Sequence, residues 1–212
     1  MRKTFFRKYS LSVLLAGLLL FHGCATYQPT LRTGPRPSTW AVQIKNTADV
    51  PNLYKITDNI YRSGQPTEKG IAELVDPGSG INIKTFIDLR QFHKNDIPAS
   101  ASQLRVEQVP LYAGQIDAKI IDNAVIKVMK ILSEEKNAPF LIHCKYGADR
   151  TGLMSAMYRI LYQNWSKETA IDEMLNGGYG FHALWTNIIE YIKKADIENL
   201  RNEIRQDQPT AR

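Results

Sequence analysis

The sequence predicts a single α/β domain, with a mainly parallel central sheet of four to five strands and helices on both faces. Three observations predict it. A chain of 212 residues with 43% hydrophobic content supports one globular domain plus appendages. From Ala118 the apolar residues Ile120, Ile121, Ala124, Val125, Val128, Met129 and Leu132 fall on one helical face. Ala138-Pro139-Phe140-Leu141-Ile142 then reads as a short buried strand, and beyond it Leu153, Met154, Ala156, Met157, Ile160 and Leu161 recur at helical spacing. Strands alternating with helices imply parallel pairing with both faces covered.

Residues 1–23 have the layout of an export signal: a basic start, an apolar run from about Leu11 to Phe21, then small residues. That run is too short to cross a bilayer as a helix. Phe21-His22-Gly23-Cys24 resembles a lipobox, which would leave Cys24 as a lipid-modified N-terminus on the membrane, with the outer membrane favoured by Ala25. Ordinary cleavage after Ala25 is the alternative and gives a periplasmic protein. Four of the net +6 charges, on Arg2, Lys3, Arg7 and Lys8, belong to the leader, which has no acid, so its removal leaves +2. A general nucleic-acid binder is thereby disfavoured. With Cys24 acylated or removed, Cys144 is the one remaining thiol of the 2 cysteines, and no internal disulfide can form.

Residues 24–48, with Pro29, Pro35 and Pro37 and no sustained period, read as an extended tether, and 49–205 as the domain. Leu53 to Ile56 and Ile60 to Arg62 form a predicted hairpin across Thr57-Asp58-Asn59. Thr67 and Glu68 open a helix through Leu74, and Pro77-Gly78-Ser79-Gly80 breaks the chain before strands at Lys84 to Leu89 and Leu104 to Val109. Late in the chain, Ser166 caps a helix ending at Gly177-Gly178, one helical region covers about Leu184 to Ile204, and residues 206–212 form a frayed tail.

The chemistry concentrates in His143 to Gly152, HCKYGADRTG. Five residues separate Cys144 from Arg150, enough for the backbone to curl until its N–H groups converge, and Gly147 is free to take positive φ. The following helix adds its positive end, which favours both a bound oxyanion and a thiolate at Cys144. Arg150 supplies a planar fork for two phosphate oxygens, and Thr151 can hydrogen-bond the Cys144 sulfur.

This stretch resembles the signature loop of cysteine-dependent protein tyrosine and dual-specificity phosphatases: His-Cys, five residues, Arg, then Ser or Thr and Gly. Ile60-Tyr61-Arg62-Ser63-Gly64-Gln65-Pro66 and Phe86-Ile87-Asp88-Leu89-Arg90 resemble upstream segments of the small, exported bacterial branch, so the likeness runs from about Asn52 to Leu200. The resemblance implies a phosphomonoesterase without metal or cofactor that hydrolyses phosphotyrosine, and phosphoserine or phosphothreonine as further substrates, through a phosphocysteine. An inositol phosphate or phosphoinositide phosphatase on the same fold is one alternative. A catalytically silent, membrane-tethered phosphate-binding module is another. A phosphorylated protein or small molecule is the expected partner, and a monomer the expected state.

The family also places a general acid on a loop ahead of the cysteine. Asp117, 27 residues before Cys144 and after the irregular stretch Tyr112 to Ile116, fits that place, although an Asp before a helical pattern is also a natural N-cap. Asp149 is the alternative donor, by likeness to phosphoinositide phosphatases with an Asp-Arg-Thr ending, or else an outward acid bonded to a neighbouring loop. Lys145 resembles the basic position of enzymes acting on inositol rings, while Tyr146 offers an aromatic wall for phosphotyrosine. With Gly147 and Ala148, these residues line the expected substrate site. His143 is expected to order the loop by hydrogen bonding, Asp88 and Arg90 to form a structural pair, and His93 and His182 to stand isolated, with no metal-ligand spacing anywhere.

Overall fold

Strands buried on both faces build the centre of the sheet. In the computed structural model, which describes residues 32–206, six strands run β1 (Val42–Lys45), β2 (Leu53–Thr57), β3 (Ile60–Ser63), β4 (Thr85–Asp88), β5 (Arg105–Gln108) and β6 (Phe140–His143). Six helices accompany them: α1 (Glu68–Val75), α2 (Ala118–Leu132), α3 (Asp149–Gln163), α4 (Lys167–Asn176), α5 (Thr186–Lys194) and α6 (Ile197–Gln206). The export signal, Cys24 and the tail beyond residue 206 lie outside the described residues.

The sheet order is β1-β2-β3-β6-β4-β5, with β1–β2 and β2–β3 antiparallel and the other pairs parallel. Successive side chains of a strand point to opposite faces. Ile60, Ile87, Phe140 and Ile142 therefore join the larger core, with Val125, Met129, Leu153, Met157, Ile188 and Leu200 from the helices α2, α3, α5 and α6. Tyr61, Phe86 and Leu141 join the smaller one, with Val50, Leu53, Ile71, Leu74 and Ile83 around α1. Burial on both faces is why these strands read as unbroken apolar runs. At their carboxyl ends Ser63, His143 and Asp88 are register partners, and Asp88 pairs on to Gln108. That aligned edge is where open α/β sheets place their ligands.

The sequence placed four to five strands; the sixth comes from the stretch read as a tether. Trp40 and Ala41 are buried, at 3% and 2% exposure, and β1 follows directly. What holds the segment is polar and remote: Ala41 N–H donates to Glu173 Oε1 at 2.7 Å, and Arg36 donates to the Ala41 and Gly177 carbonyls and to the Tyr179 hydroxyl. Arg32 pairs with Asp172 at 2.6 Å. An edge strand of mixed polarity is extended like a tether, and the partners of the segment ahead of it, on Asp172 to Tyr179, lie more than 130 residues away.

The predicted last helical region is two helices. The stripe Ile188, Tyr191, Ile192 loses phase before Ile197, Leu200, Ile204, and Ala195 turns out of the helix. Asp196 then accepts from Asn199 N–H and restarts it. Thr67, Asp117 and Ser166 cap α1, α2 and α4 as their residue types require, each worth about 1 kcal/mol.

Candidate active site

The loop between β6 and α3 is held from beneath by the turn after β3. Gly147 has φ +70°, and a Cβ there would come within 2.5 Å of Ser63 C and Gly64 N, so both conformation and space demand glycine. Gln65 N–H donates to the Lys145 carbonyl at 3.1 Å, and Asn52 Nδ2 to the Tyr146 carbonyl at 2.9 Å. Cys144, Ala148 and Thr151 are buried, with Cys144 at 1% exposure at the base of the loop. Gly152 N–H to the Ala148 carbonyl, 2.8 Å, starts the hydrogen-bond ladder of α3, so the helix begins within the signature itself.

Arg62, the end of a predicted hairpin strand with no chemical role legible in the sequence, is part of the site. It lies fully buried under the loop, donating Nη2 to the Gly147 carbonyl at 2.7 Å, with its guanidinium 3.7 Å from the centre of the Tyr179 ring. Burial lowers its pKa, opposed by the nearby Tyr179, Glu173 and Cys144. Tyr179 donates its hydroxyl to Glu173 Oε1 at 3.0 Å, and Glu173 is paired with Arg159 in two buried bonds of 2.8 and 3.0 Å. Burial pushes the Tyr179 phenol well up. A positive group thus sits beneath the loop, and the acid nearest the chain of contacts is already neutralised by Arg159.

On the sheet side, Arg150 Nη1 donates to the Leu89 and Leu111 carbonyls, both at 3.2 Å, which fixes the guanidinium between the ends of β4 and β5. Arg90 donates to Gln65 Oε1 at 3.1 Å. Burial lowers the Arg90 pKa, with Asp88 and Cys144 opposing and Arg150 reinforcing, so thiol and two guanidiniums share one field. The Asp88–Arg90 pair proves to be a carboxylate on a backbone: Asp88 Oδ1 accepts from Arg90 N–H at 2.8 Å, while Oδ2 accepts from Asn95 and Gln108. His143 departs from expectation. Both ring nitrogens are buried without a hydrogen-bond partner, and Asp88 Oδ1 stands 3.9 Å from Nε2. The ring packs edge-on against Phe86, and burial holds its pKa down at about 4, so it is a neutral spacer at neutral pH. Thr151 Oγ1 is likewise buried without a partner; the expected bond to sulfur is not made here.

His182, expected to stand alone, is the partner of Asp149. Its backbone N–H donates to Asp149 Oδ1 at 2.9 Å, and Nδ1 lies 3.0 and 2.9 Å from the two carboxylate oxygens. The acid inside the signature is therefore turned to a neighbouring loop, the outward disposition weighed from the sequence. The His182 ring meets Tyr146 at 5.4 Å, and Tyr146 and Lys145 are exposed, with Lys145 Nζ 4.9 Å from the Tyr146 ring centre. Asp117 is exposed and accepts from Lys119 and Ile120 N–H at 2.9 and 3.4 Å, capping α2. Its loop carries two outward apolar side chains, Tyr112 at 60% and Ile116 at 83% exposure.

A buried cysteine under a curled loop, at the carboxyl edge of the parallel strands and beside fixed guanidiniums, is the arrangement that suits a phosphate group. Residues 38–187 match the family described as "DSP-PTPase phosphatase fused to NAD+ Kinase". The dual specificity protein phosphatase TpbA of Pseudomonas aeruginosa is 35% identical over 170 residues, 79% of this chain and 72% of that protein. Crystal structures of P. aeruginosa TpbA superpose with TM-scores of 0.66 and, for a Cys-to-Ser variant in complex with phosphotyrosine, 0.65, each covering 80% of this chain and 99% or 98% of the other at 33% and 32% identity. An inositol diphosphatase of Arabidopsis thaliana, DSP5, is 28% identical over 131 residues, 58% of this chain and 60% of that protein. The chain belongs to the DSP-PTPase family and is an enzyme of the protein-tyrosine and dual-specificity phosphatase class.

Proposed function

We propose that the protein hydrolyses phosphotyrosine, and phosphoserine or phosphothreonine more slowly, through a phosphocysteine on Cys144. The observation that carries this reading is the burial of Cys144 at the base of a loop braced by Arg62 and Gly147, with the Arg150 guanidinium fixed by the Leu89 and Leu111 carbonyls. The Cys144 thiolate attacks phosphorus in line, an S–P bond forms and the P–O bond to tyrosine breaks. Arg150 and the loop amides of Lys145 to Asp149 hold the equatorial oxygens. Asp117 gives its proton to the departing oxygen. As carboxylate it then takes a proton from water, whose oxygen attacks phosphorus, releasing phosphate and the thiolate. Thr151 Oγ1, buried and without a partner in the resting site, donates to the sulfur as it leaves. Exposed Tyr146 is suited to flank a phenyl ring.

Cys144→Ser is expected to abolish turnover while phosphate still binds, and acid quench of the wild-type enzyme to trap phosphate on Cys144. Turnover by the serine variant at the wild-type rate overturns the nucleophile. Asp117→Asn is expected to slow phenyl phosphate by about 10²- to 10⁴-fold and to spare a very good leaving group; unchanged turnover by Asp117→Asn, with loss in Asp149→Asn, transfers the acid role. A second reading, an inositol phosphate phosphatase, is favoured by exposed Lys145 beside the nucleophile and by the inositol diphosphatase relatives. Turnover of a phosphotyrosine peptide and of inositol hexakisphosphate, measured side by side, separates the two. The leader supports export and attachment of Cys24 to the outer membrane by lipid; metabolic labelling with a fatty acid analogue, lost in Cys24→Ser, tests that placement.

A further inference from the structure

The segment from His182 to Asn187 touches both loops of the site. At one end His182 is bound to Asp149, in the first turn of α3. At the other, Asn187 in the first turn of α5 donates its Nδ2 to the Ala113 carbonyl at 2.8 Å and to the Gln115 carbonyl at 2.9 Å. Between them Trp185 meets Tyr112 edge-on, ring centres 6.1 Å apart. Gly114 fits against both rings: a Cβ there would come 2.7 Å from Tyr112 Cε1 and 3.1 Å from Trp185 Cζ3. One amide group thus clasps two carbonyls two residues apart, on the turn that leads into Asp117.

The loop has little else to fix it. Gln115 N–H closes a turn on the Tyr112 carbonyl at 3.1 Å, and Gln115 Oε1 accepts from the Ile116 and Asp117 N–H groups, all within the loop. Those bonds shape the turn. Its flanks are held by Arg150 Nη1 on the Leu111 carbonyl and by the cap Asp117 makes on α2, and Asn187 with Trp185, at the start of a helix whose Ile188, Ile189 and Ile192 are buried in the main core, holds the middle. A turn with few buried contacts takes its position from the groups that hold its middle.

We propose that Asn187 is a positioning residue for the reaction: its amide holds the Ala113–Gln115 turn, and with Trp185 and His182 it sets the distance between the Asp117 loop and the phosphate loop. The proposal rests on the reading of Asp117 as the general acid. An error of about 1 Å in placing such a group costs on the order of 10²-fold.

Asn187→Asp is the sharp variant, because it keeps the size, replaces both donors by acceptors facing two carbonyls, and puts an acid where a helix start favours one. The expected result is a loss in kcat of about tenfold to 10²-fold on phenyl phosphate, with 2,4-dinitrophenyl phosphate unaffected and the melting temperature kept. On the Asp117→Asn background the further loss should vanish, since the two residues act as a unit. Amide exchange at 113–117 should quicken while that of α5 does not. Asn187→Ala, read the same way, guards against an effect special to the new charge. If Asp117→Asn steepens the leaving-group dependence and both Asn187 variants leave it and the amide exchange unchanged, the proposal falls while the acid assignment stands. If the Asn187 variants steepen it and Asp117→Asn does not, the acid assignment falls and the proposal, which rests on it, falls with it. If no variant moves it, both fall.

Discussion

The loop that holds Cys144 and the loop that ends at Asp117 stand at the same edge of the sheet and are built by opposite means. The first is clamped by backbone and buried side chains: Gly147 against Ser63 and Gly64, Arg62 on the Gly147 carbonyl, Gln65 N–H on the Lys145 carbonyl, Asn52 on the Tyr146 carbonyl. The second shows solvent its Tyr112, Ile116 and Asp117 and is tied to the body through Asn187 and Trp185. The difference suits the two tasks that the proposed mechanism gives them. Stabilising charge on a phosphoryl group needs donors fixed before the reaction, since reorganisation at that moment raises the barrier. Delivering a proton needs one carboxyl placed well, on a loop that must also admit the substrate.

Substitutions can break this contrast, and the largest effect is expected at Gly147. Gly147→Ala adds a left-handed penalty and a backbone clash, together roughly 2–5 kcal/mol of stability, and activity should disappear even at temperatures where the fold survives; thermal melts and p-nitrophenyl phosphate turnover read the two. His143 comes next. Its folded pKa of about 4 lies below the ordinary 6.5 because burial excludes the charged form, with Arg90 and His93 adding to that and Asp88 opposing. Above pH 6.5 neither state takes the proton and stability is unaffected. As pH falls from 6.5 to 4 the unfolded chain binds it and the folded one does not, so about 3 kcal/mol is lost across that window. Urea melts at pH 7 and pH 4.5 should show this loss in wild type and a smaller one in His143→Gln.

Asn52 sharpens the contrast from outside the loop. It has φ 57° and donates to both the Tyr146 and Tyr179 carbonyls, the second also at 2.9 Å. Asn52→Ala should cost about 1–3 kcal/mol, and Asn52→Gly less, because only the alanine keeps the backbone penalty; chemical denaturation of the pair separates conformation from hydrogen bonding. The smallest effect belongs to the acid loop. Gln115→Ala removes an exposed acceptor of two N–H groups and should change stability by only about 0.5 kcal/mol, with a leaving-group dependence that moves in the direction of the Asn187 variants and by less.

What the sequence disclosed follows the same division. Cys144, Gly147, Arg150 and the helix behind them lie within ten consecutive residues, so spacing alone conveys their geometry. The caps at Thr67, Asp117 and Ser166 were legible for the same local reason. The groups that hold the loop are distant in the chain: Arg62 is 85 residues from Gly147, Asn52 is 94 from Tyr146, and His182 is 33 from Asp149. A buried arginine, an asparagine in a turn and a histidine in a loop have no periodicity to betray them. Strand β1 was missed because an edge strand pairs on one side only and needs no apolar alternation; its burial pattern is exposed at three of four positions.

The anchored N-terminal segment also sets how far the enzyme can range. Had the folded body begun at residue 49, a lipid on Cys24 would have commanded 25 Cα steps of chain, a leash of about 85 Å at full stretch. With Arg32 already bound to Asp172, 8 steps remain, about 27 Å at most. A lipid at Cys24, if attached as proposed, would then moor the folded body close to the bilayer. Phosphorylated groups displayed near that membrane would be within reach, and those deep in the periplasm would have to come to it.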